Sequence, residues 1–393
     1  MDIVYENKQS CCGCGLCAAV CPKKCIQLID DKTGFPYPVI DQTVCIDCGK
    51  CGKSCIIKNG YEYFTETPDF YAVKHKNKDI VMSSTSGGIF TAVSDYILAQ
   101  DGVVFGAMLD ENLNPVYSYA ETQKDRDRFR GSKYVKCSSA GLFENVEIFL
   151  KSGRKVLVTG TPCQVSAVRK FAKDHPGLLT MDFICHGTPS AKFFKDYICY
   201  AQSRCRKKIV RHHFRYKSSD VMWSHTEANI LADGTVDSFS YISQLCKNLF
   251  YANANLNPSC YTCGYTNPRR PGDITMADYW GIEMVMPDFA DKRGTSLLLV
   301  NSSKGRDIFE AIKSELEYKS SNLAEATAGH QKHLLKPNDP NPRYAEFQQD
   351  YIERGFEYCA KKFAPLTWKD VVKSVLGETI VRRIKSRLYR ATI

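Results

Sequence analysis

Two copies of one cysteine spacing set the limits on what this chain can fold into. They read Cys11-x2-Cys14-x2-Cys17-x3-Cys21-Pro22 and Cys45-x2-Cys48-x2-Cys51-x3-Cys55. Thiolates at i, i+3 and i+6 wrap a turn of backbone around a cube of iron and sulfide, and the fourth cysteine is carried on to the other cube. The spacing therefore assigns Cys11, Cys14, Cys17 and Cys55 to one [4Fe-4S] site, and Cys45, Cys48, Cys51 and Cys21 to a second. Zinc is the rival occupant, because C-x2-C pairs also suit it. Two identical four-cysteine runs fit the cubane better. The second run carries Ile56 where the first carries Pro22, and Cys12 and Cys25 stand outside the pattern.

Iron-binding thiolates must stay reduced, so a chain with 19 cysteines, at least eight of them spaced this way, is expected in a reducing, cytoplasmic compartment and not as a disulfide scaffold. Residues 1–10 have no apolar core of signal-peptide length, and no run approaches the ~20 apolar residues of a membrane helix. The net charge of +10 is uneven. From Lys369 to Ile393 seven Lys/Arg oppose two Asp/Glu, and a second basic stretch runs through Arg204, Arg206, Lys207, Lys208, Arg211, Arg215 and Lys217. Neither matches a nucleic-acid motif, so the expected partners exclude nucleic acid. A solvated basic surface is the plain reading. Such patches would also steer an acidic redox protein such as a ferredoxin or flavodoxin.

Patterning divides the chain into residues 1–60, a two-cluster ferredoxin-type domain; 61–70, a linker; 71–150 and 151–365, two parts of a mixed α/β core; and 366–393, a basic amphipathic helical tail. In the tail Trp368, Val371, Val372, Val375, Leu376, Ile380, Ile384 and Leu388 share one side. Docking on its own domain, or contact with a membrane surface or partner, both fit that face. Within the core, Ser86-Gly87-Gly88 leads into a helical pattern at Thr91–Leu98, the arrangement of a helix N-terminus that can take an anion. A capped helix with glycines for close packing is the alternative. Lys155–Thr159 and Leu178–Ile184 read as buried strands flanking a helix at Val165–Lys173, a βαβ unit whose ligands gather at the strand carboxyl ends. Cys163 and Cys185 follow those ends and should be near neighbours. A strand at Val210–Tyr216, a hairpin around Asp233-Gly234, a strand at Ser296–Val300, and helices at Ala191–Ala201, Arg306–Leu316 and Tyr344–Lys362 complete the pattern.

Cys163, Cys185 and the Cys260-x2-Cys263 pair come from three separate loops. They suit a third iron–sulfur site, a structural zinc, or four small buried hydrophobes. With Ser86-Gly-Gly-Ile, Gly131-Ser-Lys-Tyr, Thr161-Pro-Cys-Gln, Ile184-Cys-His-Gly and Asp273-Ile-Thr-x-Ala-Asp-Tyr-Trp-Gly281, they resemble the coenzyme F(420) hydrogenase/dehydrogenase beta-subunit family, which includes the 7-hydroxymethyl chlorophyll a reductases. The likeness spans about residues 70–365.

That resemblance implies a flavin-binding core with FAD and an adjacent [4Fe-4S] cluster. By motif, Ser86, Gly87, Gly88, Ser132, Lys133, Tyr134 and Thr161 would line the flavin. Cys163, Cys185, Cys260 and Cys263 would hold the core cluster. Lys133 near the reduced flavin and His186 as proton donor are the candidate catalytic residues, with a surface lysine and a core histidine as the plainer alternatives. The implied activity is an FAD- and iron–sulfur-dependent oxidoreductase exchanging electrons with a redox protein and with a two-electron small molecule, F(420)-like or otherwise. A relay subunit feeding a larger complex is the other reading.

Overall fold

The computed structural model describes residues 8–329, 331–368 and 370. The N-terminal segment carries a hairpin, β1 Ile26–Asp30 and β2 Pro36–Ile40, antiparallel, between the two cysteine runs. Its turn is docked on the core. Ser190 Oγ donates to Thr33 O at 2.6 Å, and a Cβ on Gly34 would lie 2.3 Å from Lys192 Cβ. Leu16 and Ile56, from the two runs, are 1% exposed and pack into a core cluster with Val146, Val158 and Val168. The stretch after it is irregular yet anchored: Tyr61 and Tyr63 pack edge-on against Tyr265, and Tyr63 OH donates to Gly264 O at 2.6 Å.

The core is built on an eight-stranded mixed sheet. Its strands are β3 Asp69–His75, β4 Val103–Leu109, β5 Pro115–Ala120, β6 Val156–Gly160 and β7 Leu178–Phe183, then, after an excursion, β11 Ile274–Asp278, β12 Ser296–Val300 and β13 Leu316–Ser321. The excursion holds a three-stranded sheet of β8 Ile209–His213, β9 Ala228–Leu231 and β10 Val236–Asp237. The large sheet has the order β13-β3-β12-β11-β7-β6-β4-β5. Its four middle strands, β11, β7, β6 and β4, are parallel and its outer pairs antiparallel. Parallel strands need helices on both faces and read as continuous apolar runs. Accordingly every residue of β6 is buried, and so is every residue of β12, antiparallel to both its neighbours.

One face is covered by α1 Ile89–Leu98, the other by α2 Leu142–Lys151 and α3 Pro162–Ala172. The excursion adds α4 Ala191–Cys205 and α5 Tyr241–Tyr251. These pack with the late helix α6 Tyr344–Phe363 in a separate apolar cluster through Phe193, Tyr197, Leu249 and Phe347. Among the described residues no helix is long and apolar enough to cross a membrane.

The βαβ unit forms as expected, with β6 and β7 parallel around α3. Some expectations need correction. The helix expected at Arg306–Leu316 is Ser303–Ile312, and Leu316 opens β13, whose outer pairing on β3 local propensity could not show. The basic stretch is not one solvated surface. Arg215 is 8% exposed and paired with Asp278, and Lys217 Nζ donates to Val81 O and Arg293 O, both at 2.6 Å. Helix α5 and strand β11 arise where the sequence pattern suggests neither. The tail face from Val371 onward lies outside the described residues.

Candidate functional site

The carboxyl ends of β6, β7 and β11 point one way, and the candidate site is there, where open parallel sheets place ligands. Cys163 sits in the first turn of α3 directly after β6. Cys185 lies just past β7. Cys260 belongs to the turn Pro258–Thr262, and Cys263 follows it. All four line one small cavity of about 50 Å³. Burial first, and neighbouring sulfurs second, push the Cys185, Cys260 and Cys263 thiols up to about 12. Burial does the same to Cys246 and Cys359, away from this cavity, so the shift marks burial and not a metal. A single zinc draws four sulfurs to about 3.8 Å from each other, on a Zn–S bond of about 2.3 Å. Among the described residues no three His, Cys, Asp or Glu side chains are drawn together closely enough to hold a single metal ion, which does not choose between zinc and iron–sulfur.

Cys12 lines the same cavity and interacts with the Cys163 and Cys14 thiols. It falls outside the cysteine spacing, and its position could not be read from the pattern. Gln164, next to Cys163, reaches back to the first run and donates to Cys14 O at 3.2 Å. Burial raises the Cys11 and Cys17 thiols of that run, and Cys55 of the second run adds to both, with Cys163 adding to Cys11. Cys21, Cys45, Cys48 and Cys51 line a second small cavity together with Cys25, whose Sγ is 3.4 Å from Cys21 Sγ. Cys48 is exposed, so this pocket faces outward and the core four face inward.

Against the core four lies a cavity of about 750 Å³. Cys185, His186, Gly187, Thr188, Thr161 and Lys136 line both. The expected residues Ser86, Gly88, Ser132, Lys133, Tyr134 and Thr161 line the large cavity. Gly87 does not: its N–H donates to Ser296 Oγ at 2.8 Å, and a Cβ there would lie 2.3 Å from Val73 O. Gly87 is therefore a packing glycine. Ser86 Oγ donates to Thr295 O at 2.7 Å. Gly88, at φ 91°, caps α1 without a side-chain bond, leaving the helix N–H groups and dipole facing the cavity. The two loops at this end are tied together, with Ser132 N donating to Thr85 Oγ1 at 3.0 Å.

Arg130 also lines this end, and its Nε is a buried donor without a partner. A buried orphan donor beside an open helix N-terminus is what an anionic group such as a pyrophosphate would satisfy. Arg130 heads the Gly131-Ser-Lys-Tyr motif, yet nothing in the pattern separates it from an ordinary surface arginine. Lys133 differs from its expected part. Its ammonium donates to the carbonyls of Arg128, Phe129, Arg130 and Gly131 at 3.0–3.1 Å, and burial lowers its pKa to about 8. It staples the loop that carries Arg130.

The far end of the cavity is aromatic. Trp223 and Trp280 stack at 4.3 Å, His225 stacks on Trp280 at 4.5 Å, and Tyr134 stacks on Phe250 at 5.1 Å. Asp278 joins the wall, accepting from Arg215 NH1 at 2.9 Å and Trp223 Nε1 at 2.6 Å. His186 Nε2 lies 2.8 Å from Asn253 Oδ1, and its Nδ1 lies 3.1 Å from His333 Nε2. With Asn253 accepting, His186 carries its proton on Nε2, and Nδ1 accepts from His333. Burial lowers His186 to about 3 and His333 to about 4, so both are neutral near pH 7. His186 can pass a proton only if His333 replaces it; it does not stand ready as an imidazolium acid.

Residues 153–326, which include the four core cysteines and Asp273–Gly281, match the family model for the C-terminal part of the coenzyme F(420) hydrogenase/dehydrogenase beta subunit. A coenzyme F(420)-dependent sulfite reductase of Methanocaldococcus jannaschii is 28% identical over 162 residues, 41% of this chain and 25% of that protein. A second protein of the same organism, uncharacterized, is 26% identical over 197 residues, 43% of this chain and 54% of its own length. The chain thus spans a quarter and about half of the length of these curated relatives. A chain of the F(420)-reducing nickel–iron hydrogenase complex of Methanosarcina barkeri aligns over 74% of this chain and 92% of that one, with 19% identity and a TM-score of 0.46.

Proposed function

Because residues 153–326 match the model of the coenzyme F(420) hydrogenase/dehydrogenase beta subunit's C-terminal part, we propose that the protein is an iron–sulfur flavoprotein oxidoreductase of that kind. It would exchange electrons between a one-electron redox protein and a two-electron small molecule such as a deazaflavin. The observation that carries this reading is the shared wall between the four-cysteine cavity and the 750 Å³ cavity, with the first cysteine run seated directly behind it.

Each residue set has a part. Cys45, Cys48, Cys51 and Cys21 would hold the outer cubane, Cys11, Cys14, Cys17 and Cys55 the middle one, and Cys163, Cys185, Cys260 and Cys263 the inner one. The open N-terminus of α1 and Arg130 would bind the pyrophosphate of FAD, with Lys133 fixing the loop between them. Ser132, Thr161 and Tyr134 would line the rest of the cofactor. Bound there, iron–sulfur cubanes supply single-electron steps and a flavin exchanges them for two-electron chemistry. His186 would hold a proton at Nε2 against Asn253, with His333 as the source of its replacement. Trp280 and His225 line the far end and would give a planar substrate an aromatic wall.

The test is anaerobic. Chemically reduced ferredoxin is mixed with the protein and a panel of two-electron acceptors, F(420) among them. Acceptor reduction that depends on the protein, outpaces free FAD and disappears in Cys185→Ser supports the reading. A fully loaded protein that reduces another protein but no small acceptor would make it a relay subunit instead.

A further inference from the structure

Lys136 is 9% exposed and stands where three candidate sites meet. It lines the four-cysteine cavity and the large cavity together. Its Nζ donates to Cys12 O at 2.9 Å, inside the first cysteine run, and its own N–H donates to Pro189 O at 2.9 Å, which fixes its backbone. The other buried cations nearby are neutralised or consumed. Arg270, 1% exposed, pairs with Asp182 at 3.2 Å, and Lys133 is spent on four carbonyls. Among the described residues no carboxylate pairs with Lys136. The groups that favour its charge are the sulfurs of Cys163, Cys12, Cys14 and Cys260.

A buried ammonium is costly unless an anion answers it. Among the described residues, the candidates for that anion are the thiolate-bearing sites on either side. An electron placed on an iron–sulfur site adds one unit of negative charge and makes or breaks no covalent bond. A fixed cation beside the site makes that addition easier, since net charge and hydrogen bonding set a cluster's potential. At low effective dielectric the effect is large at close range and fades with distance.

We propose that Lys136 is the charge that raises the electron affinity of the core four-cysteine site and of its neighbour, the Cys11/Cys14/Cys17/Cys55 site, while the outer Cys21/Cys45/Cys48/Cys51 site is left unchanged. Electrons entering at the outer site then collect beside the large cavity. Lys136 is a positioning residue, acting by its charge on the sites and not on substrate. The inference rests on the iron–sulfur reading above.

The experiment compares Lys136→Gln, which keeps a donor for Cys12 O but drops the charge, with Lys136→Arg, which keeps the charge. Iron is counted on anaerobically purified full-length protein. Dithionite titration at fixed pH, followed by EPR, then gives each site's potential. In Lys136→Gln two of the three signals are expected to move to lower potential by at least tenfold in the reduction equilibrium, about 59 mV for one electron. The third should hold, and Lys136→Arg should stay near the parent. Loss of the core iron in Lys136→Gln alone, with Lys136→Arg intact, supports the same role. Full iron with three unmoved potentials in Lys136→Gln overturns it, as does equal damage in both variants. A parent protein without three iron–sulfur signals would instead remove the iron–sulfur reading itself.

Discussion

At the residue scale, side chains of one chemical type take opposite parts according to what they touch. Lys133 and Lys136 are three positions apart. The first spends its ammonium on backbone carbonyls, and the second presents it to sulfur. The cysteines stand out in the sequence by the spacing that iron–sulfur ligation would impose. Lys136 and Cys12 do not, because a buried charge or a bystander thiol has no period. Arg130 and Lys133 are expected to act on the same loop. Arg130→Ala should lower bound flavin by removing the anion's partner, and Lys133→Ala should lower it by loosening residues 128–131. Flavin absorbance per polypeptide after gel filtration reads both, and unchanged content in Arg130→Ala would remove it from the site. Cys185→Ser should cost about four irons per chain, on four irons per cubane. Cys246→Ser, buried in a helix away from the cavities, should cost none.

At the element scale, strand ends and helix starts were readable where burial made the pattern continuous, as in β6 and β7. They were not where long-range pairing decides, as in β11 and β13. The glycine pair before α1 shows the limit. Both were expected to admit a phosphate, but Gly87 is held against β3 and β12, so Gly87→Ala should destabilise the fold by ~3 kcal/mol or more through overpacking. Thermal unfolding would show it, and a stable Gly87→Ala protein would contradict the close approach. The excursion carries its own pH dependence. Glu227, 1% exposed and just before β9, accepts from Lys247 N at 3.0 Å, and burial raises its pKa to about 8. It is therefore protonated in the folded state at neutral pH, while the unfolded chain ionises it near 4.5. The stability it contributes is complete below about 4.5 and is lost as pH rises toward 8. Glu227→Gln, a mimic of the neutral acid, should gain on the parent between about pH 5 and about pH 8. Equal melting differences at both pH values would place Glu227 in its charged form.

At the scale of the molecule, two cysteine runs, a mixed sheet and a helix-capped cavity are packed together so that thiols from five segments of the chain line two small pockets and the space between them. The sequence marked the members of that arrangement. It could not show that the first run sits against the core, because this rests on contacts such as Gln164 with Cys14 and Gly34 with Lys192 that only the folded chain brings together. The central claim is that the arrangement is a wire ending at a flavin. Iron, zinc and flavin are to be counted on anaerobically purified protein, with EPR after reduction. About twelve irons, no zinc and one FAD per chain, with three cubane signals, is the expected result. About eight irons with one zinc would make the core cysteines a structural site, cut the inner end of the wire and contradict the account.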